Sequence, residues 1–328
     1  MAAVELVEVW RGDLLESVHR AHAVVCDGAG QVVEAWGDPE AIVYPRSSSK
    51  MIQALPLLES GAADAAGLSE DRLALACASH QGAAIHTARV EAWLSELGLG
   101  EADLRCGPHM PSDRPTAEAL VRAGERPCQI HNNCSGKHAG FLTLTRHLGA
   151  GPEYVEIDHP VQQAVRAAVE DTSGETVAGW GVDGCSAPNF AGSLAGLARS
   201  MASFAVAGSR SGARAEAQRR LTAAMIAHPD LVAGEGRACT ELMRACGTRA
   251  AIKTGAEGVF VAILPEQGLG VALKVADGAT RASEALIAAI LVRLGVLEAA
   301  HPVAQRLMSG VQRNWRGLET GRIVTRLP

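Results

Sequence analysis

The chain has 328 residues, of which 48% are hydrophobic and 20% charged, and its formal net charge is -6. This composition predicts a folded protein with a sizeable core and excludes a largely disordered chain. The acidic balance, with a pI of about 6.0 and no Lys/Arg-rich run, excludes the electrostatic footprint of a nucleic-acid binder. We therefore expect a small-molecule partner and no nucleic acid.

The sequence also bears on the cellular compartment. No apolar run reaches the length of a membrane span, and the first residues lack a basic region followed by an apolar one. The eight cysteines are dispersed, several of them in apolar or Gly-rich surroundings, which is typical of reduced core thiols. We expect a cytoplasmic protein with no membrane partner.

The first and last elements are predicted to be strands. Residues 4–10 and 19–36 alternate or run apolar and are broken by a turn at Asp27–Gly30, which predicts antiparallel strands. Three more strands are expected at 250–254, 258–264 and 270–275, and a helix follows from about 280 to 294. The intervening chain is predicted to be helical over about 50–105, 139–148, 159–171, 191–204 and 213–228.

Strands at both ends with helices between them predict an α+β fold. We expect one antiparallel sheet, formed by both termini and packed with a helical lobe. Because no linker or repeat is evident, residues 1–328 are expected to form a single domain with two lobes.

A serine three residues ahead of a lysine is the first candidate for chemistry. Ser47 and Lys50 are separated by one helical turn at the start of an apolar, helix-forming segment. A lysine whose pKa is lowered can remove the proton of a serine hydroxyl and make it a nucleophile. On its own this pattern also fits a helix cap followed by a solvated lysine.

A later motif favours the catalytic interpretation. Lys253-Thr254-Gly255 on a predicted strand, together with an upstream Ser-x-x-Lys, is the combination found in penicillin-recognising serine enzymes. The Ser-Asp-Asn motif of those enzymes is absent. Ser79, in a polar turn, could provide the second hydroxyl, or it could be an ordinary turn residue.

Two cysteines are the third candidate. Cys134 and Cys185, the latter close to Asp183, could contribute to a zinc site. Two cysteines are below the usual ligand count, so two buried thiols are the alternative.

Several sequence blocks together resemble the rhizobial-type (class 3, thermolabile) L-asparaginase II family. The matches keep their order from about residue 7 to 295. They are Tyr44–Lys50, Ala78–His80, Cys106–His109, Asn132–Gly140, Gly181–Cys185, Lys253–Gly258 and Leu273–Gly278.

The resemblance implies a fold like that of serine β-lactamases and glutaminases, and hydrolysis of L-asparagine to L-aspartate and ammonia. It implies two serine-lysine pairs, Ser47 with Lys50 and Ser79 with Lys253. It also implies a zinc site at Cys134, Lys137 and Cys185 and a homodimer. Nothing else in the sequence indicates Lys137 as a ligand.

These inferences combine into a hypothesis for the reaction. Lys50 activates Ser47, which attacks the side-chain amide and forms an acyl-enzyme that water hydrolyses, while zinc orients the substrate. An amino-acid substrate carries an α-carboxylate and an α-ammonium, which need a cation and an acidic partner. The candidate substrate-binding residues are Arg46, Asp183, His138 and Glu257.

Three alternatives stay open at this point. A penicillin-interactive hydrolase would share both motifs, and a glutaminase would apply the same chemistry to a substrate one methylene longer. A non-catalytic amino-acid-binding protein could retain the fold. The sequence also departs from the family's usual residues at Gln81, Ser186 and Ser193, which bears on substrate preference.

Overall fold

The computed structural model describes residues 2–327, and the chain forms two compact units. The first contains the residues up to Ser48, Gly192–Val206 and the residues from Glu241 onward, and we call it the sheet unit. The second, the helical unit, contains Ser49–Ala191 and Ala207–Thr240. The interpretation of the whole chain as a single domain with two lobes stays a prediction.

Most strands belong to one antiparallel sheet in the sheet unit. The strands of the chain are β1 (Val4–Arg11), β2 (Leu14–Asp27), β3 (Val32–Trp36), β4 (Ile42–Val43), β5 (Gly179–Val182), β6 (Pro188–Ser193), β7 (Ala251–Gly255), β8 (Val259–Leu264), β9 (Leu269–Val275), β10 (Val311–Arg313) and β11 (Glu319–Thr325). The order in the large sheet is β10-β11-β1-β2-β9-β8-β7, with β3 paired to β2, while β4, β6 and β5 form a smaller sheet.

The chain ends meet in this sheet. Val7 of β1 lies opposite Thr325 of β11, and Ala21 of β2 lies opposite Val275 of β9. The predicted antiparallel sheet built from both termini is therefore confirmed. The hairpin of β10 and β11, which extends the sheet at one edge, was not predicted from the sequence.

Helices fill the rest of the chain. They are α1 (Lys50–Gln53), α2 (Leu55–Glu59), α3 (Ala62–Ala65), α4 (Glu70–Ala76), α5 (Ala84–Glu96), α6 (Arg114–Ala123), α7 (Ser135–His147), α8 (Pro160–Ser173), α9 (Leu194–Ala205), α10 (Ala213–Ala227), α11 (Pro229–Val232), α12 (Ala238–Cys246), α13 (Thr280–Arg293) and α14 (Pro302–Met308). Within the described part of the chain, none of them has both the length and the apolarity needed to cross a membrane.

Two helices cover the centre of the large sheet. Helices α9 and α13 both pack against β8 and β9, and all six residues of β8 are buried. Because successive residues of a strand point to opposite faces, the sheet is covered on both faces here. Gly270 of β9 permits the close approach of α9, since a Cβ there would lie 2.0 Å from the backbone nitrogen of Ala202.

Helix α7 is the core of the helical unit. Its residues from Ser135 to Thr145 are all buried, and α2, α3, α4, α5 and α8 pack against it. The helix begins four residues before the predicted start at Ala139. Lys137 and His138 are consequently fixed in its first turn rather than in a preceding loop.

Candidate active site

Ser47 lies in a short 3₁₀ turn, Arg46–Ser49, that leads directly into α1. Its neighbours Ser48 and Ser49 are 0% and 3% exposed, and the Ser48 hydroxyl donates a hydrogen bond to the Pro45 carbonyl at 2.7 Å. Ser47 is only partly buried. Of the three serines, it is therefore the one whose hydroxyl is best placed to meet a substrate.

The Lys-Thr-Gly motif lies beside this turn in the sheet unit. Lys253 is fully buried in β7, and its amine donates to the Thr254 carbonyl at 2.9 Å. A Cβ at Gly255 would lie 2.6 Å from the Pro45 carbonyl oxygen and 3.2 Å from the Ser48 nitrogen. The glycine thus lets the end of β7 pass directly against the turn that carries Ser47.

Three non-glycine residues at or near predicted site residues have left-handed backbone conformations. Arg46 has φ 53°, Ser186 φ 69° and Glu257 φ 60°, and these are the non-glycine residues with positive φ in the described chain. Such conformations cost free energy and tend to be kept at functional sites. Arg46 precedes Ser47, Ser186 follows Cys185, and the exposed Glu257 follows the Lys-Thr-Gly motif.

Lys50 and Ser79 belong to the helical unit, where both are buried, at 0% and 5% exposure. The Lys50 amine donates hydrogen bonds to the Ala78 carbonyl and to Cys134 Sγ at 3.1 Å. The Ser79 backbone nitrogen donates to the Val232 carbonyl at 2.8 Å. Lys50 is thus a buried amine held in a fixed position and bonded to the carbonyl of the residue before Ser79.

Cys134, Lys137 and Cys185 form a buried cluster in the same unit. The Lys137 amine donates to Cys185 Sγ at 3.1 Å. A hydrogen bond from the Cys134 thiol, together with the charge of Lys137, holds the pKa of Cys185 well below its usual value, and the same hydrogen bond and burial raise the pKa of Cys134. Burial opposes the charge on Lys137, but the two sulfurs raise its pKa. These shifts favour a thiolate at Cys185 beside a thiol at Cys134 and an ammonium at Lys137.

His138 and Asp183 adjoin this cluster. His138 is fully buried, and burial lowers its pKa to about 4, although Cys185 opposes that shift. Its Nδ1 lies 2.8 Å from the Tyr154 hydroxyl. Asp183 is partly buried in the loop between β5 and β6 and contributes to raising the pKa of Lys137.

The cluster fits a soft divalent cation only if lysine is a ligand. No group of three or more His, Cys, Asp or Glu residues within residues 2–327 is arranged to hold a metal ion. Two thiols and one amine do converge, however. Sulfur and nitrogen donors of this kind suit zinc.

Each departure from the family's usual residues has a local structural role. Gln81 Nε2 donates to the Glu235 carbonyl at 3.0 Å. Ser193 caps α9, since its hydroxyl accepts the Gly196 N–H at 2.8 Å. Ser186 occupies the left-handed position of the β5–β6 loop.

The structure therefore divides the predicted site residues between the two units. The helical unit brings together Lys50, Cys134, Lys137, His138, Asp183 and Cys185, and it also contains Ser79. The sheet unit contains Arg46, Ser47, Lys253 and Glu257. Sequence reasoning missed Tyr154, for which no motif exists. Its only signal is that it is one of two tyrosines in a chain with 3% aromatic residues.

Solved structures with a similar fold have low sequence identity. The native form of a protein named Mglu is 15% identical, with a TM-score of 0.49, and the match covers 90% of this chain and 69% of that chain. Its tris and glutamate form is 14% identical, with a TM-score of 0.49 and coverages of 90% and 64%. A β-lactamase from Mycobacterium bovis is 15% identical, with a TM-score of 0.48 and coverages of 84% and 95%. This chain thus spans about two thirds of the Mglu chains.

No curated protein sequence matches the chain significantly. The model of the family described as L-asparaginase II, in contrast, matches residues 7–325, which extend from the first strand to the last. The predicted α+β fold class, with an antiparallel sheet formed by both termini, is confirmed. Because the match covers nearly the whole chain, this protein belongs to the L-asparaginase II family and is a hydrolase that acts on amides.

Proposed function

We propose that the protein hydrolyses L-asparagine to L-aspartate and ammonia through an acyl-enzyme on Ser47. The family supports the substrate class. The observation that carries the mechanism is Lys50, whose fully buried amine is anchored by Ala78 and Cys134 and follows Ser47 by three residues. A buried amine held in a fixed position suits a base that takes up the proton of a neighbouring hydroxyl.

In the proposed reaction, Lys50 accepts the Ser47 hydroxyl proton as the serine oxygen bonds to the side-chain amide carbon. The C–N bond then breaks, the nitrogen takes up a proton and ammonia leaves, which gives an ester. Water adds to the ester, the C–O bond to serine breaks, and aspartate and free Ser47 are produced. We propose that Ser79 and Lys253 relay a proton to the leaving group. Both side chains are buried, which supports a fixed position for each.

We assign substrate recognition to charged groups around these residues. Arg46 is the candidate for the α-carboxylate, and Asp183 or Glu257 for the α-ammonium. The partial burial of Asp183 supports a directed interaction, whereas Glu257 is exposed. His138 is the remaining candidate for a contact with the substrate.

We also propose that Cys134, Lys137 and Cys185 hold a zinc ion. When bound, zinc would provide a Lewis acid that orients an oxygen of the substrate. The serine and lysine residues remain the groups that form and break bonds, because they constitute a complete nucleophile and base without the metal.

The decisive experiment measures ammonia release from L-asparagine and L-glutamine by wild-type protein and by Ser47→Ala. We expect Ser47→Ala to lose about 10³-fold or more in kcat. Ser48→Ala is the matched control and should retain activity, since the Ser48 hydroxyl is engaged with Pro45. Near wild-type turnover by Ser47→Ala would exclude the assignment.

The same assays separate the substrates. A pocket discriminates against one extra methylene by roughly 10- to 200-fold, so we expect a glutamine rate lower than the asparagine rate by a factor in this range. Equal or faster glutamine hydrolysis would identify a glutaminase. Nitrocefin turnover would indicate a penicillin-interactive enzyme instead.

We further propose that the enzyme is a cytoplasmic homodimer. None of the eight cysteines in the described chain is in a disulfide, which supports a reducing compartment. Light scattering of the purified protein tests the dimer, and a monomeric mass would contradict it.

A further inference from the structure

Tyr154 connects His138 to a loop of the helical unit. It is fully buried, its hydroxyl accepts a hydrogen bond from the Arg105 backbone N–H at 2.7 Å, and the same hydroxyl lies 2.8 Å from His138 Nδ1. Neither the sequence motifs nor the proposed reaction gives this residue a role.

The hydrogen-bonding capacity of a phenol determines the direction of the second bond. A tyrosine hydroxyl has one proton to donate, and within residues 2–327 the acceptor that it reaches is His138 Nδ1. If Nδ1 were the donor instead, the buried O–H of Tyr154 would lack an acceptor. Unsatisfied buried groups are costly, so Tyr154 donates to Nδ1 and neutral His138 carries its proton on Nε2.

The ring of His138 is also held in orientation. Its centroid lies 5.4 Å from that of Tyr154 in an edge-on contact and 5.8 Å from that of Phe141 at a tilt of 60°. The Nε2 atom is buried, and a side-chain hydrogen bond between His138 and Cys185 opposes the lowering of the ring's pKa and helps to lower the pKa of the thiol. Because Nδ1 is engaged with Tyr154, Nε2 is the ring nitrogen that faces Cys185.

We propose that Tyr154 is a positioning residue that fixes His138 as the Nε2–H tautomer, so that His138 is a hydrogen-bond donor at the Cys185 side of the site. A donor of this kind can bind a carboxylate or amide oxygen of the substrate but not its ammonium group. The statement about the substrate rests on the proposed function, whereas the statement about the tautomer does not.

The test is ¹⁵N NMR of the histidine rings in the full-length protein at pH 8, without substrate. Long-range ¹⁵N–¹H correlations distinguish the two neutral tautomers, and the spectrum of His138→Gln identifies the His138 signals among the 11 histidines. We expect the Nε2–H pattern. An Nδ1–H pattern in the wild-type protein would overturn the proposal whatever the enzymatic activity.

Tyr154→Phe tests the cause of the tautomer. It should convert His138 to a mixture of tautomers, whereas Tyr44→Phe, at the exposed second tyrosine, should leave the His138 signals unchanged. An unaltered His138 pattern in folded Tyr154→Phe would overturn the role of Tyr154. If Tyr154→Phe does not fold, the wild-type spectrum still decides the tautomer. Failure of the proposed function would appear separately, as absent ammonia release from a wild-type protein with the Nε2–H tautomer.

Discussion

The Lys137 amine lies 3.1 Å from Cys185 Sγ, with both groups buried. The pKa of Cys185 is held well below its ordinary value and that of Lys137 is raised, which favours a thiolate beside an ammonium when no metal is bound. A lysine can coordinate zinc only as the neutral amine, and a cysteine only as the thiolate. The proposed zinc binding would therefore displace protons from Lys137 and Cys134.

We accordingly expect zinc affinity to decrease by about tenfold per pH unit for each displaced proton as the pH falls from 8 to 6. Competition with a chelator at several pH values measures this dependence. Lys137→Met should bind zinc more weakly and with a shallower pH dependence, because one displaced proton is lost. An affinity that does not change with pH would exclude lysine ligation.

The sequence predicts the sheet well because its strands carry local signals. Strands β7, β8 and β9 coincide with the predicted segments to within one residue at most ends, since apolar runs separated by glycine turns depend little on distant contacts. The start of α7 was predicted less well. Lys137 and His138 suggest a polar loop, but they are buried by Cys185 and Tyr154, which are 48 and 16 residues away.

The same contrast between local sequence signals and contacts with distant residues applies to the candidate site. Ser47, Lys50 and Lys253 were predicted as site residues from short motifs, because the residues of each motif are close in the sequence. Lys137 was indicated only by resemblance, and Tyr154 by nothing. Both contact partners that the chain brings close only after folding, which no spacing rule describes.

Ser186 gives a prediction about stability. It occupies the left-handed position, φ 69°, of the loop between β5 and β6, where the Ser186 N–H donates to the Asp183 carbonyl at 2.8 Å. A glycine avoids the strain of this conformation, so Ser186→Gly should increase the free energy of unfolding by about 0.5–1 kcal/mol. Urea denaturation measures the change. Ser186→Ala keeps a side chain at this φ and should show no gain, and a destabilised Ser186→Gly would refute the interpretation.

Substitution of Gly270 tests the close approach of α9 to the sheet. A Cβ at this position would lie 2.0 Å from Ala202 N and 2.4 Å from Ala198 O. Gly270 pairs with Cys26 on one side and Ile263 on the other, so the strand cannot easily move away. We expect Gly270→Ala to cost about 3 kcal/mol or more, and soluble expression and thermal unfolding measure this loss.

The matched control for this substitution is Gly192→Ala. Gly192 also lies in a strand, where it pairs with Val43, but a Cβ there would meet nothing within 4 Å. The expected change is within about 1 kcal/mol. Similar stabilities of the two variants would contradict the proposed steric requirement.

A stacked pair of buried histidines predicts acid sensitivity. The rings of His80 and His86 lie 4.8 Å apart at an angle of 9°, and both side chains are almost fully buried. Burial, reinforced by His86, places the pKa of His80 well below its ordinary value, and burial also lowers the pKa of His86. Both rings are therefore neutral in the folded protein at neutral pH.

Below pH 6.5, the ordinary histidine pKa, the unfolded chain binds protons that these two rings do not bind in the folded state. Their contribution to stability is complete above this pH and is lost as the pH falls toward their folded-state pKa values. We expect a loss of about 1–3 kcal/mol between pH 7.5 and 5.5. His86→Gln retains a donor for the Asp230 carbonyl, which His86 Nε2 contacts at 2.9 Å. Urea denaturation across this range should show a smaller loss for the variant, and an equal loss would exclude His86 as a source of the acid sensitivity.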